Sequence, residues 1–273
     1  IVEEEFNRGE KESQARRVFG LVMDAETGEV LSLAQSSSFN PNRFDNVDPS
    51  ELRSAVLQDN FEPGSTLKPI IAALALDAGK VSATENIDCE NGRFQIGKHT
   101  IRDVHPSGVL SFGEVLVRSS NICMAKMGIR MGKNRLFSSL RDFGFGSTTE
   151  IQLQGEAKGI LRDVSKWSEV DQATHSFGQG ISVTALQMVQ AYAALANGGL
   201  LVHPTLRKQL PGERREARRV LSASAANTVG DILTGVTEGE HGTGKNAAIS
   251  GVKVHGKTGT AQKARENGRG YDP

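Results

Sequence analysis

An α/β fold is expected from three observations. Two alternating apolar runs meet at a turn near the start, a long middle shows helical periodicity, and a strand-like run comes late in the 273 residues. Residues 18–23 and 29–34 flank Asp24-Ala25-Glu26-Thr27-Gly28, a turn sequence, and read as a β-hairpin. After the turn signal Pro63-Gly64, the residues Leu67, Ile70, Ile71 and Leu74 keep helical spacing until Gly79 stops the run. The stretch from Ile70 to Leu76 is apolar on every side, which suits a buried central helix better than a surface one. Helices are also expected over 182–197, with Leu186, Val189 and Ala193 inward, and over 222–236. The run from Val252 to Thr260 is expected to be a strand.

Three short polar signatures fall on this framework in a fixed order: Ser65-Thr66-Leu67-Lys68, Ser119-Ser120-Asn121 and Lys257-Thr258-Gly259-Thr260. Ser65 opens the apolar helix and Lys68 lies one turn on, on the same face. Pro69 falls in the first turn, where a missing N–H costs least. A hydroxyl is a weak nucleophile and needs a base within reach. An amine serves if burial and a second cation lower its pKa, and Lys257 is the candidate for that cation.

Ser119-Ser120-Asn121 sits between two helical segments, in a position to project Ser119 and Asn121 into a cleft. Ser119 would relay a proton between the lysines and a leaving amine, and Asn121 has the donor and acceptor to grip a peptide edge. The alternative is a plain helix cap, for which Ser and Asn are favoured. On the late strand, Thr258 and Thr260 point to one side and would bind a terminal carboxylate, with Gly259 leaving room for close approach. The N–H groups of Ser65 and Thr260 would form an oxyanion hole. Two chance matches compete: Ser250-Gly251-Val252-Lys253 repeats the first spacing and Ser38-Phe39-Asn40 the second. Neither has the context, since Ser250 leads into a β-type run and Ser38 lies in an Asn-Pro turn.

The ordered set resembles the transpeptidase domain of class B penicillin-binding proteins, most closely the division-specific D,D-transpeptidases. The resemblance runs along nearly the whole chain. It includes Ile101-Arg102-Asp103 with His105-Pro106-Ser107-Gly108, and Phe143-Gly144-Phe145-Gly146. It also includes Ser176-Phe177-Gly178-Gln179-Gly180 with Val183-Thr184, Ala196-Asn197-Gly198-Gly199, and the extension Ala261-Gln262-Lys263. His255 departs from the small residue usual there; on strand alternation it should share a face with Lys257, and no catalytic role is assigned to it.

The resemblance implies a β-lactamase-like fold, an antiparallel sheet flanked by helices with a mainly helical subdomain. It implies peptidoglycan D,D-transpeptidase activity with Ser65, Lys68, Ser119 and Lys257 catalytic and Asn121, Thr258, Gly259 and Thr260 binding substrate. The substrates would be stem peptides ending in D-Ala-D-Ala, β-lactams would acylate Ser65, and no cofactor is needed. Partners would be cell-division membrane proteins, with the domain on the periplasmic side of an inner-membrane anchor outside this chain. The domain is expected to span 1–273, excised at its start and cut short at its end, so that the Lys257 strand lacks its inner neighbour and the piece is inactive alone. The alternatives are a β-lactamase, a β-lactam sensor or a non-catalytic divisome scaffold. Against a β-lactamase, no Glu-x-x-Leu-Asn stands between Ser119 and Lys257. The intact signatures argue against a scaffold.

Composition sets the remaining bounds. With 32 basic and 32 acidic residues the formal charge is zero, so no nucleic-acid footprint is present. The locally basic stretch from Arg207 to Arg219 is read as a solvated loop and helix entry. The longest apolar run is too short to cross a bilayer, and the six histidines show no ligand spacing. Cys89 and Cys123 permit one disulfide, but two buried free thiols are expected.

Overall fold

In a computed structural model, which describes residues 1–36, 39–40, 42–43, 47–49, 51–210, 213 and 216–260, a helical core packs against four small antiparallel ladders. Ser38, Arg214, Arg215 and the extension Ala261-Gln262-Lys263 lie outside the described residues. Helix α1 (Val2–Ser13) precedes the hairpin of β1 (Phe19–Met23) and β2 (Val30–Gln35). The hairpin pairs Leu21 with Leu33 and carries a bulge between Val22 and Met23. Its turn is held by Asp24 Oδ1, which accepts from the N–H of Glu26 at 2.9 Å and of Thr27 at 2.8 Å. One hairpin face is covered: Leu21, Val30 and Leu33 pack on Leu57 of α2 (Ala55–Gln58), Ile151 and Leu186. Val22 and Leu31 stay exposed.

Residues 64–67 form one 3-10 turn that runs directly into α3 (Lys68–Asp77) with Pro69 in its first turn. Helix α3 is the axis of the core. Leu67, Ile70, Ile71, Ala72, Ala73 and Ala75 are all fully buried, and each buried Leu or Ile contributes about 1.5–3 kcal/mol. Around it pack α5 (Asn121–Met131), α8 (Ala185–Ala196) and α9 (Ala223–Glu238). Asp77 Oδ1 accepts from Ser222 N at 3.0 Å, tying the end of α3 to the start of α9.

The middle of the chain also contains strands that helical periodicity does not announce. Strands β3 (Asn86–Asp88) and β6 (Val109–Ser111) pair, and inside them β4 (Arg93–Ile96) pairs with β5 (His99–Arg102). These lead into α4 (Phe112–Val117), then α5, α6 (Lys133–Asp142) and α7 (Glu169–His175). The last ladder, β7 (Leu200–Val202) with β8 (Ala217–Arg219), joins α8 to α9.

Two expectations are corrected. Residues 253–260 join no ladder among the described residues. A strand exists only through the neighbour that takes its N–H and C=O groups. Here the segment lies instead along α9: Gly256 N donates to Leu233 O at 3.4 Å and Thr237 Oγ1 donates to Val254 O at 2.6 Å. His255 accordingly faces α9, with Nδ1 2.6 Å from Gly230 O. The cysteines are not free thiols. Cys89 and Cys123 form a disulfide across 34 residues, with Cα atoms 5.1 Å apart. Pairing β3 with β6 brings the end of β3 against the first turn of α5, where both sulfurs reach toward Ile87 O.

A closed loop of that length removes conformational entropy from the unfolded chain worth about 4 kcal/mol. In urea titrations, reduction with dithiothreitol or the Cys89→Ser/Cys123→Ser pair is expected to lower the unfolding free energy by roughly 2–4 kcal/mol. An unchanged midpoint would show that the bond does not stabilise the fold.

Candidate active site

The nucleophile candidate stands on a turn held from several directions. Phe61 and Val183 exchange backbone hydrogen bonds at 2.9 Å, and Gly64 N donates to Gly178 O at 3.0 Å. Gly180 N donates to Glu62 Oε1 at 2.8 Å, and the Tyr192 hydroxyl of α8 donates to Thr66 O at 2.8 Å. The Ser176–Gly180 segment therefore buttresses Ser65. A side chain at Gly178 would place Cβ 2.1 Å from Gly64 O, and its φ of +84° is one that L residues rarely adopt.

Lys68 is fully buried, and its Nζ is shared by three oxygens: Ser119 O at 2.6 Å, Ser119 Oγ at 3.1 Å and Asn121 Oδ1 at 2.7 Å. Ser119 stands at φ 60°, between α4 and α5, which is costly for a residue with a Cβ, on the order of 1–3 kcal/mol. Ser120, the middle residue, is the helix cap and accepts from Cys123 N at 3.1 Å. The cap is thus Ser120, while Ser119 and Asn121 line the neighbouring cavity.

Asp103 fixes the turn from outside. Its carboxylate accepts from Ser120 Oγ at 2.6 Å, Asn121 N at 2.6 Å and Ile122 N at 3.1 Å. This is a carboxylate at the N-terminus of α5, where the helix dipole favours it. Burial is the main force lowering the Lys68 pKa to about 7; the charge of Lys257 lowers it further, and Asp103 opposes the shift. Burial alone brings Lys257 to about 8.

The third signature is held by side-chain contacts. Lys257 Nζ donates to Thr258 O at 3.0 Å, and the hydroxyls of Thr243 and Thr258 are 2.7 Å apart. Gly259 crosses the nucleophile turn so closely that an added Cβ would stand 2.6 Å from Thr66 Cγ2. The room that glycine leaves is taken by the chain's own Ser65 turn.

One cavity of about 500 Å³ collects these pieces: Ser65, Ser119, Asn121, Thr258, Gly259 and Thr260 all line it. Lys68 is buried beneath it and Lys257 is half-buried beside Thr258. The N–H groups of Ser65 and Thr260 donate to nothing else among the described residues. The Ser65 hydroxyl has no hydrogen-bond partner among them either. Ser250, the competing match, is exposed in a turn closed by an Ile249–Val252 bridge.

Asp103, Glu62, Gly178, Tyr192 and Thr243 carry no role that sequence reasoning assigns. Paired glycines in Ser176–Gly180 were the one available signal, because closely spaced glycines often mark close backbone approach.

Fold and cleft together define a penicillin-binding type of transpeptidase domain. The chain belongs to that family: the model of the penicillin binding protein transpeptidase domain matches residues 18–273. It is 35% identical over 269 residues to the "Probable peptidoglycan D,D-transpeptidase PenA" of Neisseria meningitidis, covering 98% of this chain and 45% of that protein. It is 34% identical over 272 residues to the peptidoglycan D,D-transpeptidase FtsI of Escherichia coli, covering 98% and 45%. The chain thus spans about half the length of these curated relatives. A solved apo structure of the transpeptidase domain of penicillin-binding protein 3 from Burkholderia pseudomallei superposes with a TM-score of 0.89. It shares 34% identity and covers 99% of this chain and 76% of that one.

Gly178→Ala is expected to push the Ser65 turn away from its buttress. Unfolding experiments should show a loss of roughly 1–3 kcal/mol, the size of one strained backbone site. A melting temperature equal to the parent's would show that the turn tolerates the added methyl.

Proposed function

We propose that the protein is a serine D,D-transpeptidase that cross-links peptidoglycan stem peptides in septal wall synthesis. The observation that carries this reading is the buried Lys68 amine, poised near neutrality directly beneath a cleft that also presents Ser65, Ser119, Asn121 and the Thr258–Thr260 segment.

In the first half-reaction Ser65 Oγ attacks the carbonyl of the penultimate D-Ala and its proton passes to Lys68. The free N–H groups of Ser65 and Thr260 receive the oxyanion. Thr258 and Thr260, with the charge of Lys257, hold the terminal carboxylate, and Asn121 grips the peptide edge. As the C–N bond breaks, Ser119 passes a proton from the lysines to the leaving amine of the last D-Ala. Its hydroxyl is suited to this: when Lys68 is neutral, Ser119 Oγ can donate to Nζ instead of accepting from it. In the second half-reaction a neighbouring stem's amine attacks the ester, its proton returns through the same groups, and Ser65 is released. A β-lactam would stop at the first ester.

The extracytoplasmic side is supported by the Cys89–Cys123 bond, of a kind that persists in oxidising compartments. Among the described residues no helix is long and apolar enough to cross a membrane. An anchor and cell-division membrane partners belong to the same proposal and rest on the resemblance of the three signatures to division-type transpeptidases.

Two experiments test this reading. Mass spectrometry after exposure to penicillin should place the adduct on the peptide carrying Ser65, and Lys68→Ala should slow acylation by about 10²–10⁴-fold. An adduct on the peptide carrying Ser250 overturns the assignment.

The acylation rate should also rise with pH, with a midpoint near the Lys68 value of about 7. The sign follows from the base: only the amine that has lost its proton can accept one from Ser65. A rate that is flat between about pH 5.5 and 8.5 would remove Lys68 from the role.

A further inference from the structure

A second cavity, about 490 Å³, opens behind one wall of the cleft. The two spaces share His105, Arg118 and Thr243, and the annex is completed by Glu240, His241 and Gly242. Its floor is the turn after α9, folded so tightly that a Cβ on Gly242 would lie 2.4 Å from Val236 O. Thr243 connects that turn to the cleft through its contact with Thr258 at 2.7 Å.

Arg118 is the unusual member. Its Nε is buried with no hydrogen-bond partner, and its guanidinium makes no hydrogen bond or ion pair among the described residues. It stands at the C-terminal end of α4, where a cation is expected to bond the last carbonyls, yet it does not. Glu114, one turn earlier, feels the charge of Arg118, but its carboxylate is hydrogen-bonded by Ser111 N at 3.0 Å and Ser111 Oγ at 2.8 Å and not by the guanidinium. Glu240, which lines the same annex, makes no ion pair with Arg118. Of the cleft's own carboxylates, Asp103 is committed to the N-terminus of α5. A planar fork of donors facing a cavity without a partner is suited to a carboxylate.

We propose that Arg118, with His105 and Thr243 beside it, forms a subsite for a substrate carboxylate other than the terminal one. This rests on the transpeptidase reading, in which Thr258 and Thr260 already take the terminal carboxylate. The ligand class is then a peptide with a second, non-terminal carboxylate, held so that its backbone lies along the Ser119 wall. The enzyme would prefer such acidic stems over stems in which that carboxylate is an amide.

Benzylpenicillin and carbenicillin differ by one carboxylate in the acyl side chain, the part that stands for the peptide before the scissile bond. The readout is the ratio of their second-order acylation rates at Ser65, carbenicillin over benzylpenicillin, measured on the whole chain. Because it is a ratio, a general loss of activity in a variant cancels. Arg118→Gln is expected to lower it by about tenfold, the effect of one charge-assisted hydrogen bond. Arg118→Lys, which keeps the charge and much of the stem, is expected to retain most of the parent's ratio. A glutamine variant with the parent's ratio overturns the subsite, as does a lysine variant no better than glutamine. Acylation of the parent by neither penicillin removes the transpeptidase reading, and the subsite with it, for residues 1–273 as they stand, and is the result expected of a piece that is inactive alone.

Discussion

The structure depends on one buried amine. Lys68 sits in the core helix where an aliphatic side chain would pack without electrostatic cost, and three oxygens from the Ser119–Asn121 turn are arranged to receive it. An amine that holds its proton to about 10.5 in water holds it only to about 7 here. Below pH 7 the folded protein carries the full cost of a buried ammonium. As pH rises from about 7 to 10.5 the unfolded chain still holds the proton that the folded one has lost, so the penalty declines. Stability is therefore given up at neutral pH to keep an amine that readily loses its proton, and the surrounding fold has to supply the difference. The apolar helix α3 is the obvious source, with Ile70, Ile71, Ala72 and Ala73 sealed on all sides.

That arrangement explains why the turn at Ser119 is strained and why Asp103 is needed. A φ of 60° at Ser119 directs both its carbonyl and its hydroxyl to the same Nζ. A regular helix cap would present one of them at most. Three hydrogen bonds from Ser120 and the first amides of α5 to Asp103 hold the strained form in place. Burial does most to lower the Lys68 pKa, the charge of Lys257 lowers it further, and this carboxylate works against both.

Much of the site was legible because it is local. Ser65 and Lys68 are three residues apart on a helix start, and the apolar run behind them needs no partner to be recognised. Helices α8 and α9 were legible for the same reason: their apolar periodicity and Ser or Thr caps lie within one segment. The pieces that were not legible depend on distant neighbours. Strands β3 and β6 are three residues each and exist only through each other. Helix α1 buries no residue fully, and Val2 and Phe6 are its only large apolar positions, too short a stripe to read as a packed helix. The Cys89–Cys123 bond follows from that same β3–β6 pairing, which no cysteine spacing reveals. The run from Val252 to Thr260 shows the opposite failure. Its composition is that of a strand, but composition cannot supply the ladder that makes one, and its hydrogen bonds go to α9 instead.

The two walls of the cleft are held very differently. On the Ser119 side, Asp103, Ser119 and Asn121 all lie within the loop closed by the disulfide, and α5 carries a satisfied N-terminus. On the Thr258 side the segment joins no ladder among the described residues; it rests on a long backbone bond to Leu233, a few side-chain bonds and the close crossing of Gly259 over Thr66. Local opening takes place where backbone hydrogen bonds are few and burial is low, and Thr258 to Thr260 are exposed. On the proposed reading, the base and its relay are fixed in place, while the carboxylate-binding edge and the second oxyanion amide are the parts free to adjust. A transpeptidation that admits one long peptide, releases a small amine and then admits a second peptide would use that asymmetry. The group whose pKa matters would then be on the rigid wall, and the groups that meet changing substrates on the yielding one.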